Sequence, residues 1–145
     1  MSIREATYQD LSQLLSLYSH LHDNEVPAID DKIQDLWVNM LGDRNQYILV
    51  GIENSEIICS CVLVIVQNLT HNQRPYAFIE NVITHPDYRN RSHGTQILDY
   101  AKGIAVSHNC YKIMLMTSSK KASTLDFYRR AGYNMEDKTA FIQWL

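Results

Sequence analysis

Between Phe78 and Ala101 the chain reads F-I-E-N-V-I-T-H-P-D-Y-R-N-R-S-H-G-T-Q-I-L-D-Y-A, and no other stretch restricts the fold as much. Its first part is a strand, because Phe78, Ile79, Val82 and Ile83 are bulky residues suited to a pleated surface. The strand stops at His85-Pro86-Asp87, where proline has no N–H with which to extend a ladder. Its last part is a helix, in which Ile97, Leu98, Ala101, Ile104 and Ala105 recur at spacings of three and four and leave Asp99, Lys102 and Ser107 off the stripe. Between them, Arg89-Asn90-Arg91-Ser92-His93-Gly94-Thr95 sets two arginines and small residues directly before the first helical turn. The unpaired N–H groups and positive dipole end of a helix start attract phosphate, and flanking arginines strengthen the attraction. The stretch therefore predicts a strand, an anion cradle and a helix in immediate succession.

A chain of 145 residues, 46% of them hydrophobic, suits one domain spanning residues 1–145 around a substantial core. The net charge of -3 argues against a nucleic-acid partner, for which a basic face is expected. Cys59, Cys61 and Cys110 form no metal-like or disulfide-like array and read as buried reduced thiols. No apolar run approaches 18 residues and no leader pattern precedes the first helix, so a cytoplasmic protein without a membrane partner is expected. The six histidines are scattered, and His20 and His22 do not share a helical face, so no metal site is expected.

The rest of the chain supplies more strands and helices around this centre. Ile3 to Ala6 reads as a short strand, with Thr7 capping a helix striped by Leu11, Leu14, Leu15, Tyr18 and Leu21. A loop containing Pro27 leads to a second helix, capped by Asp30 or Asp31, with Ile33, Leu36, Trp37, Met40 and Leu41 on its buried face and Gly42 at its end. Tyr47 to Ile52 and Ile57 to Gln67 form a hairpin around Glu53-Asn54-Ser55-Glu56. The second of these strands is almost wholly apolar, which means cover on both faces. Tyr111 to Thr117 is a strand, Ser118 or Ser119 caps a helix ended by Gly132, and Thr139 to Leu145 is a closing strand.

The segment V-I-T-H-P-D-Y-R-N-R-S-H-G-T-Q-I-L resembles the acyl-CoA signature of the GNAT superfamily of N-acetyltransferases, whose core is Arg or Gln, two residues, Gly, one residue, then Gly or Ala. Arg89 and Gly94 match its ends, Ser92 stands where the first glycine is usual, and Asn90 where many members carry another. The run F-Y-R-R-A-G-Y from Phe127 to Tyr133 resembles the second landmark of the superfamily. A-F-I-E-N-V-I-T-H-P-D-Y-R, with L-D-Y-A and C-Y-K-I, is also similar to the glucosamine-6-phosphate acetyltransferase branch. The resemblance implies an α/β (α+β) fold with a central mixed, mostly antiparallel sheet of six or seven strands flanked by about four helices.

It also implies acetyl-CoA as cosubstrate. Free N–H groups of Val82, Ile83 and Thr84, where the central strand splays at a bulge, would hold the pantetheine arm and the thioester oxygen. The phosphates would lie on Arg89, Asn90, Arg91, Ser92, His93, Gly94 and Thr95, with Lys121 in reach of one of them. The region between the first two helices would border the acceptor site, so that Tyr18, His22, Asp23, Glu25 and Trp37 contact substrate; the alternative for each is a solvated loop or a core aromatic. A homodimer through sheet edges or C-terminal strands would place Phe141, Ile142 and Trp144 in the contact.

Two residues carry the chemistry in this reading. Glu80, a lone carboxylate inside an apolar strand, is the candidate proton acceptor for the amine, because burial raises a carboxyl pKa; the alternative is an edge carboxylate bound to a cation. Tyr128 is the candidate general acid, since a phenol near pKa 10 keeps its proton where a thiol near about 8.5 loses it; the alternative is a core tyrosine. The expected reaction is direct acetyl transfer to the primary amine of a small molecule. A peptide N-acetyltransferase and a non-catalytic acyl-CoA sensor are the alternatives.

Overall fold

The structure is a computed structural model that describes residues 1–22 and 25–145, the side chain of His22 excepted. Five strands form one sheet in the order β1 (Ser2–Glu5), β2 (Gln46–Glu53), β3 (Glu56–Val66), β4 (Tyr76–Thr84) and β5 (Ile113–Leu115). The helices are α1 (Leu11–His22), α2 (Asp31–Gly42), the single turn α3 (Thr70–Gln73), α4 (His93–Ser107) and α5 (Ala122–Arg130).

The expected sheet of six or seven strands, mostly antiparallel, becomes a mixed sheet of five among the described residues. The ladders from β1 to β4 are antiparallel, and β5 lies parallel to β4. The missing strand is the closing one. Residues 139–145 are irregular and pair with no strand, with Phe141 92% and Trp144 89% exposed. The expected strand from Tyr111 to Thr117 shrinks to three residues, because β5 has a neighbour on one side only and pairs with β4 over Ile113–Leu115 alone. The helices number five, not about four, the extra one being the α3 turn, in which His71, Asn72 and Gln73 have positive φ.

Strand alternation divides the core in two. Leu49, Cys59, Cys61, Leu63, Ile65, Ala77 and Ile79 pack with Ile97, Leu98, Ala101 and Ala105 of α4. On the other face, Ile48, Val50, Val62 and Ile83 pack with Leu14 and Leu17 of α1 and Trp37 of α2. β3 is therefore covered on both sides, which is why its sequence is almost wholly apolar. Asp30 caps α2 by accepting the N–H of Ile33 at 2.9 Å, and α5 ends at Gly132, whose φ of 91° suits glycine. Leu36 of α2 is exposed, contrary to its expected place on the buried face.

The feature that positions the site is a bulge in β4. Ser60 pairs with Ile83 and Val62 with Glu80, so Asn81 and Val82 together oppose Cys61 alone. Asn81 takes up the extra residue at φ 52°, a left-handed conformation that asparagine tolerates better than branched residues do. β5 pairs with β4 only from Ala77 to Ile79, so beyond the bulge β4 has no strand beside it on that edge.

Candidate active site

Where β4 and β5 part, a cavity of about 670 Å³ opens between the end of β4, the start of α4 and the flank of α5. Val82 and Thr84 line it from β4, and Arg89, Asn90, Ser92, His93, Gly94 and Thr95 from the loop and first turn of α4. The cradle is shaped by two left-handed residues, Asn90 at φ 61° and Ser92 at φ 62°, the two positions where the resemblance has glycine. Ser92 occupies the N-cap, but its side chain makes no capping bond. The first helical bond runs from Gln96 N–H to Ser92 O at 3.0 Å, which leaves the N–H groups of His93, Gly94 and Thr95 without helical acceptors. Arg89 is held in place by its Nε–H, which donates to Thr84 O at 3.1 Å.

α5 forms the opposite wall. Lys121, Ser123, Thr124, Phe127, Tyr128 and Arg130 face the cavity, so three cations, Arg89, Lys121 and Arg130, surround it. That charge, with the open N–H groups of a helix start, fits a pyrophosphate-bearing cosubstrate. Tyr128 is half-buried, and burial first, then Cys61 and the Glu80 carboxylate, push its hydroxyl pKa above the ordinary 10. It therefore stays protonated at neutral pH.

Two further expected residues do not turn their side chains to this cavity. Arg91 lies over the ring of Tyr88, 5.5 Å from its centroid, and does not line the cavity. The Ile83 side chain is buried on the α1 side of the sheet, because successive strand residues face opposite sides; the expectation for Ile83 concerns its backbone N–H, which this burial leaves as it was. Conversely, Tyr88, Ser123, Thr124, Phe127 and Arg130 line the cavity without having been expected there. The α5 residues were detectable in principle, since positions 123, 127 and 130 fall on one helical face. Tyr88 is fixed by its hydroxyl, which donates to Glu56 at 3.1 Å, and His93 is nearly buried with Nε2 3.7 Å from Glu53.

A second cavity, of about 330 Å³, is lined by Leu15, Tyr18, Ser19 and Leu21 of α1, by Glu25 and Pro27, and by Asn81 at the bulge. Tyr18 and Glu25 were expected at an acceptor site, and both line this space. Asn81 was missed, although an asparagine amid the apolar residues of a strand is a signal for a left-handed break. Trp37 is corrected to a core residue: it is 3% exposed and its Nε1–H donates to Tyr8 O at 3.1 Å. The expectations for Asp23 and the His22 side chain lie outside the described residues. Glu80 is exposed, so the burial invoked to make it a base is not present. Cys59 and Cys61 are buried as expected, and burial pushes their thiols up to about 11 and about 12, whereas Cys110, expected to be buried, is only partly so.

A layered α/β fold whose central strand breaks beside a cationic helix start defines a class of acyl-transfer proteins, and comparison with known proteins places the chain within it. A model of the acetyltransferase (GNAT) family matches residues 11–133, and the chain belongs to that family as an acyltransferase. It is 30% identical over 146 residues to a glucosamine 6-phosphate N-acetyltransferase of Trypanosoma brucei brucei, covering 95% of this chain and 92% of the relative. A solved putative acetyltransferase from Agrobacterium tumefaciens str. C58 is 34% identical, with a TM-score of 0.94 over 100% of both chains. The crystal structure of glucosamine-6-phosphate N-acetyltransferase from Arabidopsis thaliana shares the fold, with a TM-score of 0.82 at 20% identity over 99% of this chain and 97% of its own. Among the described residues, no helix is long and apolar enough to cross a membrane.

Proposed function

We propose that the protein transfers an acetyl group from acetyl-CoA to the primary amine of a small molecule by direct attack, within one domain. The observation that carries this reading is that the α4 helix start and Tyr128, distant in sequence, wall a single cavity. The cosubstrate supplies a thioester. The N–H groups of His93, Gly94 and Thr95, with Arg89, Lys121 and Arg130, hold its phosphates. The edge of β4 beyond Asn81 offers backbone N–H groups to the pantetheine amides and to the developing oxyanion. As the amine nitrogen bonds to the carbonyl carbon and the C–S bond breaks, Tyr128 gives its proton to the departing sulfur. Glu80, being exposed, attracts the ammonium form of the acceptor, whose proton passes to water.

Release of free CoA, followed with a thiol reagent against a panel of small amines and of peptides, tests this reading. Release with small amines supports it. Release with peptides alone would make the protein a peptide acetyltransferase, and release with none would make it an acyl-CoA sensor.

A second copy of the chain is the proposed protein partner. β5 is open on one edge, and the chain carries an unpaired strand-like segment whose Phe141, Ile142 and Trp144 are exposed. Docking that segment on the β5 edge of another copy would complete the ladder and cover the apolar side chains. Light scattering should give a dimer for the full chain and a monomer for a Phe141→Ser/Trp144→Ser variant. A full chain that stays monomeric at micromolar concentration would refute the pairing.

A further inference from the structure

The acceptor cavity has a composition that selects a chemical class. Its walls are mostly apolar, from Leu15, Leu21 and Pro27, and its polar residues are Tyr18, Ser19, Glu25 and Asn81. None of these is a cation. The deficit extends beyond the lining residues: from Glu5 to Asp31, the stretch that builds α1 and the connection to α2, the sequence contains no lysine or arginine. The same stretch holds Glu5, Asp10, Asp23, Glu25, Asp30 and Asp31, of which Asp10 is paired with Arg4. Among the described residues, His20 and His85 face one another edge-on at 4.9 Å, and neither lines the cavity.

The positive groups of the site all lie on the other side of β4. Arg89, Lys121 and Arg130 line the larger cavity, and Val82 and Thr84 face it, while Asn81 faces the smaller one. The C-terminal segment 139–145, which a second copy would offer, carries no charged residue either. A phosphate placed in the smaller cavity would lose water without gaining a cation, whereas an ammonium would gain the carboxylate of Glu25.

Resting on the acetyl-transfer reading, we infer that the acceptor is a cationic primary amine on an apolar body, without a phosphate. This departs from the amino sugar phosphate that the name of the trypanosomal relative suggests. Glu25 is then a specificity-determining residue: it meets positive charge on the acceptor, and Tyr18 and Asn81 shape the space beside the bulge in which the acceptor sits.

The test compares kcat/KM for glucosamine, glucosamine 6-phosphate, phenethylamine and putrescine with the full-length protein. The expected result is turnover of phenethylamine or putrescine at least about 10²-fold better than of glucosamine 6-phosphate, with glucosamine also preferred over its phosphate. Glu25→Lys should reverse the sign, raising the ratio of phosphorylated to unphosphorylated glucosamine by about tenfold through KM. Preference of the wild type for glucosamine 6-phosphate overturns the inference and leaves acetyl transfer intact. Hydrolysis-independent release of CoA with none of the amines overturns both.

Discussion

Gly94 lies against Phe127 so closely that a Cβ on the glycine would sit 3.0 Å from Phe127 Cζ and 3.2 Å from Cε2. This contact sets the spacing between the cradle and α5. Gly94→Ala should therefore push the two walls apart, costing about 1 kcal/mol in stability and weakening acetyl-CoA binding. Calorimetric titration measures the second effect. Phe127→Leu in the same chain should restore much of the affinity, and no recovery would place the fault in the helix start itself.

Tyr128 should be separable from binding. Tyr128→Phe keeps the ring against Phe127 and Tyr133 but removes the proton, so kcat should fall by about 10² to 10⁴ while the affinity for CoA holds. Because the hydroxyl is raised above its ordinary value, it remains protonated through neutral pH and beyond. A kcat profile that lost activity through an acid titrating near pH 8 would point to another proton donor.

Acid stability depends on Asp10. Its carboxylate accepts two bonds from Arg4, at 2.6 and 2.9 Å, and further bonds from the N–H and hydroxyl of Thr7. Those bonds, the Arg4 pair foremost, lower its pKa from 3.8 to about 2. A depressed carboxyl stabilises the fold above its unfolded pKa and loses that contribution as pH falls toward 2, here about 1–2 kcal/mol once the exposure of Arg4 is allowed for. Asp10→Asn should lower the melting temperature at pH 7 and flatten its decline between pH 4 and 2, as followed by circular dichroism.

The three thiols should react unequally. Cys59 and Cys61 are 0% exposed with pKa values near about 11 and about 12, whereas Cys110 is only partly buried. Alkylation of the native protein at pH 8, read by mass spectrometry, should modify Cys110 first and the other two only on unfolding. Prompt labelling of Cys59 would mean that the sheet opens.

Local chemistry carried most of the fold into the sequence. Asp30 before Ile33, the Glu53 to Glu56 turn and the Gly132 stop each act over a few residues, and each element formed close to where it was expected. The cradle was legible for the same reason, since Arg89 to Thr95 are contiguous. What escaped depends on long-range partners. Trp37 reads either as a substrate contact or as a core aromatic until β2 and Tyr8 close over it, and Arg91 reads as a phosphate ligand until Tyr88 turns beneath it. Arg130 joins the cavity only because α5 packs beside the start of α4, whereas Lys121, expected near a phosphate, does line it. The segment from Thr139 has strand composition, but no edge in its own chain accepts it.

The single extra residue at Asn81 also inverts the strand. Before it, the odd-numbered Ala77 and Ile79 face α4; after it, the odd-numbered Ile83 faces α1 and the even-numbered Val82 packs toward α4. Excising Asn81 would leave an uninterrupted ladder and a tidier sheet, yet it would rotate Val82, Ile83 and Thr84 by half a turn. The side chains that face the larger cavity and those buried on the α1 side would trade places, so a more regular strand would cost the molecule the shape of that cavity.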